Sequence, residues 1–362
     1  MKRTIAILLS MMMCAGLLAG CGVAPAPSDA AASAAASAAQ PASEPAEPAA
    51  PAASATGAVP TGDKPIALLI PSPVGDPFIA LCVKGLEKLS EETGAELKII
   101  ETLDKAEYED QVRAMAELGA NPVYCRWGDL SELAVKVAPE YPDTKFILAD
   151  VYMKTNQPNV SSISVDPYAS SFIAGYIAAN STEVGKVGFI AHADRPVSRR
   201  YRDGFIAGVH YVDESIPVEV AYVGNDQDPV KGQEVAKLMI QNNGVDLIFQ
   251  SASRSGLGVI AGCADQGIKC IGSDDWQGDV DPCVFWSALK PFDEALYVEG
   301  KSVFDGTYES GDKAYGLEQG LPMYDQRDFD KLSEELQQGV LAVVEGIKSG
   351  EIQITEDENV VQ

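Results

Sequence analysis

The chain has 362 residues, with 27 Lys and Arg against 53 Asp and Glu, for a formal net charge of −26. So acidic a protein lacks the basic surface by which proteins hold nucleic acid or an anionic membrane. It has two histidines, His192 and His210, which leaves no histidine cluster for a metal and little for general acid–base chemistry.

In chain order, Lys2-Arg3 precedes an apolar run from Ile5 to Leu18 that is short for a membrane span and reads as a signal segment. Leu18-Ala19-Gly20 stands directly before Cys21 and resembles the lipobox of bacterial lipoproteins. That resemblance implies removal of residues 1–20 and a lipid anchor on Cys21, which would hold the protein on the outer side of the bacterial cell membrane. Residues 21–62 are almost entirely Ala, Pro and Ser. With hardly a large apolar side chain they have no core to form, and they read as an extended tether.

About 290 residues remain, enough for one large or two ordinary domains. "PIALLIP" (65–71) predicts a buried strand and "DPFIALCVKGLEKLSEETG" (76–94) a helix stopped by Gly94. Strands at 96–102, 122–127 and 145–151 then alternate with helices at 107–119 and 131–141, and "NVSSISVD" (159–166) is a bridging strand. The cycle restarts with helix 168–180 and strand 186–191. Helices near 196–211, 229–242 and 255–267 separate strands 218–224, 245–252 and 269–275. "CVFWSAL" (283–289), the helix 291–306 and a last helix near 328–349 complete the chain. Repeated β-α-β units predict an α/β protein with parallel sheets covered on both faces, and two successive runs predict two doubly wound lobes. Residues 63–164 plus 275–308 are expected to form the N-terminal lobe and 165–274 plus 309–350 the C-terminal lobe. The chain would cross between them three times, near 164, 274 and 308, and residues 351–362 would be a tail.

Open α/β sheets bind ligands beyond the carboxyl ends of their strands. Those positions hold Asp76 and Phe78, Arg126 and Trp127, and Asp150 and Tyr152 in the first run. In the second they hold His192 to Pro196, Ser251 to Ser255, Ser273 to Trp276, and Lys290. Aromatics for a flat face, carboxylates for hydroxyls and a few cations suit a small, neutral, hydroxyl-rich ligand. Motifs of nucleophilic or nucleotide-dependent catalysis are absent: the sequence has no G-x-S-x-G elbow and no P-loop, and "GLGVIAG" (256–262) lacks dinucleotide-fingerprint spacing. Asp274-Asp275 is the one acidic pair available to an enzyme reading. Cys82, Cys125, Cys263, Cys270 and Cys283 match no zinc spacing and read as small buried hydrophobes, with Cys263 and Cys270 the nearest pair.

Four segments then bear a likeness. "KFILADV…NVSSISVDPYASSFIAGYIAA" (145–179), "KVGFIAHADRPVSRRYRDGFIAGV" (186–209), "GVDLIFQSASRSGLGVIAGCADQGIKCIGSDDWQ" (244–277) and "SALKPFDEAL" (287–296) resemble the basic membrane protein family of ABC-transporter substrate-binding lipoproteins. That family includes purine-nucleoside receptors. The resemblance implies a type I periplasmic-binding-protein fold and no enzymatic activity, cofactor or metal. The implied partners are a small ligand, with a nucleoside favoured and a sugar or other polyol second, and an ABC permease and ATPase, the protein itself acting as a monomer. It implies Asp274 as a sugar-hydroxyl acceptor, Asp150 as a polar contact, Tyr201 and Phe78 as opposed aromatics, Ser253 in the small-residue turn and Lys290 as the hinge cation. Asp76 belongs to the same first turn. There the family's Asp-x-Ser-Phe-Asn is replaced by Gly75-Asp76-Pro77-Phe78-Ile79, which keeps the aromatic and removes a polar side chain. Trp127 and Trp276 follow strands and either stack on ligand or cap the sheet. Lys290 serves either the ligand or a structural ion pair. A ligand sensor for a membrane receptor is the remaining alternative; a repressor of this fold is disfavoured by the lipobox and the missing DNA-binding helix pair.

Overall fold

The computed structural model describes residues 64–354. The signal segment, Cys21, the tether and the end of the tail lie outside the described residues. The first run comprises β1 (Ile66–Ile70), α1 (Pro77–Thr93), β2 (Leu97–Glu101), α2 (Tyr108–Glu117), β3 (Val123–Arg126), α3 (Gly128–Val137), β4 (Phe146–Ala149) and β5 (Val160–Val165). The second comprises α4 (Tyr168–Ser181), β6 (Val187–Ala191), α5 (Pro196–Val212), β7 (Val218–Tyr222), α6 (Pro229–Asn243), β8 (Leu247–Ser251), α7 (Arg254–Gln266), β9 (Lys269–Asp274) and β10 (Val284–Leu289). The chain ends with α8 (Phe292–Asp305), β11 (Gly311–Tyr315), the short α9 (Gln326–Phe329) and α10 (Glu334–Ser349).

The strands form two wholly parallel sheets, ordered β11-β5-β4-β3-β1-β2 and β10-β9-β8-β6-β7. The doubly wound α/β architecture expected from the alternation is therefore present. Its strands read as unbroken apolar runs because both faces are covered. In β1, Ile66, Leu68 and Ile70 pack into the core under α1 and α8, while Ala67 and Leu69 enter the opposite core with residues of α2 and α3. The second sheet divides the same way, Phe189 facing residues of α4, α5 and α10 and Ile190 facing those of α6 and α7. Local signals delimit the helices: in α1 the Asp76 side chain accepts from the backbone N–H groups of Phe78 and Ile79, and Gly94 closes the other end in the left-handed conformation.

The crossings differ from the expectation at two of three places. The first falls between Val165 and Tyr168, but the second falls after Leu289 rather than near 274. Strand β10 pairs directly with β9, Leu289 opposite Asp274, and buries Trp286 in the core of the second sheet. Neighbouring parallel strands ordinarily need a crossover of a dozen or more residues, usually helical. The short link 275–283 contains no helix, so alternation alone sent 284–289 to the wrong sheet. The third crossing follows β11, an edge strand of the first sheet that the sequence did not announce: "GDKAY" has half-buried and exposed positions in turn and no apolar run. Helix α8 returns to the first lobe against α1, and α10 packs on α4 in the second. Glu299 of α8, 1% exposed, joins these pieces by accepting from Ser161 of β5 (2.7 Å) and from Lys313 (2.8 Å) and Tyr315 (2.9 Å) of β11.

Helices α4 and α5 lie so close that backbone meets backbone. A Cβ on Gly208 would stand 2.0 Å from the Phe172 carbonyl oxygen, and one on Gly175 2.2 Å from that of Phe205. No side-chain rotation relieves such a clash. Gly208→Ala is expected to force the helices apart and cost about 1–3 kcal/mol, seen as a lower urea midpoint. An unchanged midpoint would show that the helix pair yields freely.

Candidate functional site

The carboxyl ends of both sheets meet, and the backbone there is unusual. Four described non-glycine residues have positive φ: Trp127 (69°), Asp150 (62°), Ser253 (51°) and Asp274 (71°). They follow or end β3, β4, β8 and β9, two in each sheet, and all four are residues expected at the binding site. Such conformations cost on the order of 1–3 kcal/mol each and persist where the surroundings enforce them. At three of the four, ladder bonds do so: the N–H of Trp127 donates to Ala149 (3.3 Å), that of Asp150 to Ile163 (2.9 Å), and that of Lys290 to the Asp274 carbonyl (2.9 Å). The chain turns sharply at its last paired residue, aiming the side chain over the sheet end.

Lys290 and Asp150 form the centre. The Lys290 side chain is 3% exposed and donates to Asp150 Oδ1 at 2.6 Å. Burial alone would raise the Asp150 carboxyl, but the charges of Lys290 and Arg126 outweigh it and hold it below the ordinary range. Arg126 Nη2 stands 3.6 Å from Asp150 Oδ2, and the guanidinium lies 4.4 Å from the Phe78 ring centre and 3.8 Å from that of Trp127. Phe78 stacks on Phe292 at 5.5 Å and also lies under Lys290, 4.8 Å away. With 5% of its surface exposed, it supports both cations. Lys290 thus forms the ion pair that the sequence left as one of its two roles.

From the second sheet, the Tyr201 hydroxyl donates to Asp274 Oδ1. Burial chiefly raises the Asp274 carboxyl; Lys290 and the Tyr201 O–H oppose the rise, and Asp150 and Asp76 add to it. Burial, with Asp274 behind it, also pushes the Tyr201 phenol well up. Across the gap, Asp76 Oδ2 accepts from Gln227 Nε2 at 2.9 Å, which ties the first lobe to the loop after β7. Ser253 is partly exposed at the start of α7 and makes no cap hydrogen bond with its side chain.

The other expected residues separate. The indole Nε1–H of Trp276 donates to Asp328 Oδ1 at 3.0 Å and its ring carries Arg327 at 3.5 Å, so its side-chain contacts are with α9. Asp275 leaves its neighbour, accepting from the Trp276 N–H and pairing with Lys84 at 3.6 Å, so Asp274-Asp275 does not converge as an enzyme pair would. The arginines of α5 are engaged: Arg199 with Asp194, Arg202 with Asp203 and Arg200 with Asp166. Ile79 is fully buried in the first lobe's core. Sequence reasoning assigned no role to Gln227 and noted Arg126 only as a strand-end cation. Gln227 has no local signature, whereas Arg126 had one, a cation ending a four-residue strand otherwise made of core residues. Among the described residues no group of three His, Cys, Asp or Glu could hold a metal ion, and the five cysteines are free thiols.

The family profile described as ABC transporter substrate-binding protein, PnrA-like, matches residues 64–358. The chain belongs to that family. It is similar to the ABC-transporter nucleoside-binding protein of Lactococcus lactis subsp. cremoris, 32% identical over 132 residues, 36% of this chain and 37% of that one. It is also similar to a purine-binding protein of Brucella abortus, 27% identical over 248 residues, 68% of this chain and 69% of that one. A solute-binding protein of an ABC transporter system from Aeropyrum pernix K1 shares the fold, with TM-score 0.70 and 22% identity over 82% of this chain and 94% of that one. This substrate-binding protein is accordingly not an enzyme.

The two aspartates act oppositely on stability. Asp150 titrates lower folded than unfolded, so its contribution is present above the unfolded value and lost as pH falls through the folded one. Asp274 titrates higher folded, so the chain loses stability as pH rises from the unfolded value through the folded one. Asp274→Asn keeps an acceptor for Tyr201 and removes the recessed charge. Without ligand it should raise the urea midpoint at pH 7, with the gain shrinking as pH falls to where Asp274 protonates. A lower midpoint at pH 7 would show that the ionised carboxylate is stabilising.

Proposed function

We propose that this protein captures a purine nucleoside between its two lobes and delivers it to an ABC permease and ATPase. It would do so outside the cytoplasm, held at the membrane by lipid on Cys21 and acting as a monomer. The observation that carries the reading is that Trp127, Asp150, Ser253 and Asp274, each in a costly conformation, stand at the carboxyl ends of strands, two in each sheet. The names of the Lactococcus and Brucella relatives support the ligand class.

In this reading Asp150 and Asp274 accept from the ribose hydroxyls, Trp127 offers its partly exposed ring, and Tyr201 and Lys290 set the two carboxylates. Asp76 and Ser253 line the entrance, and Trp276 fixes the link after β9 through α9. The three crossings are the hinge. A ligand touching both strand ends bridges the lobes only when they are closed, so it draws the population to that state.

A thermal melt of the full chain against nucleosides, nucleobases, sugars and amino acids tests this. A nucleoside at a hundred times its Kd adds about 2.7 kcal/mol to stability and should raise the melting temperature, whereas a shift with sugars alone would replace the ligand class. For the anchor, cells fed labelled fatty acid should label the parent protein and not Cys21→Ser; equal labelling would remove Cys21 from that role.

A further inference from the structure

Arg126 ends β3 with its side chain 4% exposed, yet two of its nitrogens, Nε and Nη1, are buried without a hydrogen-bond partner. A guanidinium only donates, and a buried donor without an acceptor is costly until one arrives. Nothing nearby fills the need. Asp150 Oδ1 is taken by Lys290, and Asp150 Oδ2 lies 3.6 Å from Nη2. Asp76 is held by Gln227 and its own helix cap, and Asp274 by Tyr201. The rings of Phe78 and Trp127 lie against the guanidinium and offer its N–H groups no oxygen or nitrogen acceptor.

We infer that Arg126 selects a ligand presenting a neutral oxygen acceptor, and hence a 6-oxopurine nucleoside over a 6-aminopurine one; this rests on the purine-nucleoside reading above. The missing partner is an acceptor, and O6 and N7 of a 6-oxopurine are both acceptors, whereas the 6-amino group of adenine is a donor. Donor would face donor at Arg126. A charged acceptor fits worse, because Asp150 faces both Arg126 and Lys290, and Asp150 and Asp76 lie close enough to Asp274 to raise its carboxyl. A phosphate or carboxylate would enter among three carboxylates. Position 79 adds nothing polar, since Ile79 is wholly in the core, and Arg126 can supply the base-edge donor that this turn lacks.

Calorimetric titration of the full chain with inosine, guanosine, adenosine and inosine monophosphate tests the assignment. Inosine and guanosine should each bind about tenfold or more tighter than adenosine, and the monophosphate more weakly than inosine. Arg126→Met, checked for its melt, should lose affinity for inosine while keeping that for adenosine, closing the gap. If that variant does not fold, the titrations of the parent protein decide. Adenosine binding within about threefold of inosine, a gap that survives in Arg126→Met, or a tighter monophosphate would overturn the inference and leave the nucleoside reading in place. Binding of no nucleoside at all would overturn that reading and the inference with it.

Discussion

The ion pair between Asp150 and Lys290 is the constraint on which the arrangement of the strand ends depends. Asp150 follows β4 in one sheet and Lys290 follows β10 in the other, 140 residues apart. A buried charge left alone costs several kcal/mol even after the protein relaxes around it. The lysine and the carboxylate therefore hold each other's sheets in place. Lys290 also gives its backbone N–H to the carbonyl of Asp274, so one residue at a lobe crossing touches both aspartates of the site. Phe78, stacked on Phe292 beneath it, supplies the apolar floor that keeps water from the pair.

Around that pair the chain accepts strain. Positive φ at a tryptophan, two aspartates and a serine is not a turn requirement that Gly or Asn would otherwise fill. At Trp127 and Asp150 it accompanies a ladder bond made one residue past the strand, and at Asp274 a bond to the carbonyl of the strand's last residue. The same economy explains the charge pattern. Asp150 is drawn down and Asp274 pushed up by environments a few residues' width apart, because the cations lie nearer one than the other. In the proposed function these two carboxylates are the acceptors offered to the ligand.

The layering was legible because every central strand is buried on both faces and reads as an apolar run between amphipathic helices. Asp76, Asp150, Asp274 and Lys290 were legible as strand-end polar residues in such a fold, and Tyr201 through the family resemblance. Other placements were not. Trp276 and Asp150 look alike in the sequence, each a candidate site residue after a strand. One is claimed by Asp328 of α9 and the other by Lys290, and neither partner is near in the chain. Strand β10 went to the other sheet because its link to β9 lacks the helix that parallel neighbours usually require. Strand β11 escaped notice because an edge strand with alternate exposed positions carries little apolar signal.

The sequence by itself determined the class of fold, the alternation of elements, the acidic character and the resemblance to a family, because these follow from local periodicity and from motifs read in order. Tertiary structure alone decided which strand joined which sheet, which aromatics were spent on packing, and which buried donors were left without partners. Those outcomes depend on contacts between residues tens to hundreds of positions apart, which no local pattern encodes. Arg126 shows the difference: in the sequence it is a cation at the end of a strand, and only the fold leaves its N–H groups unmet.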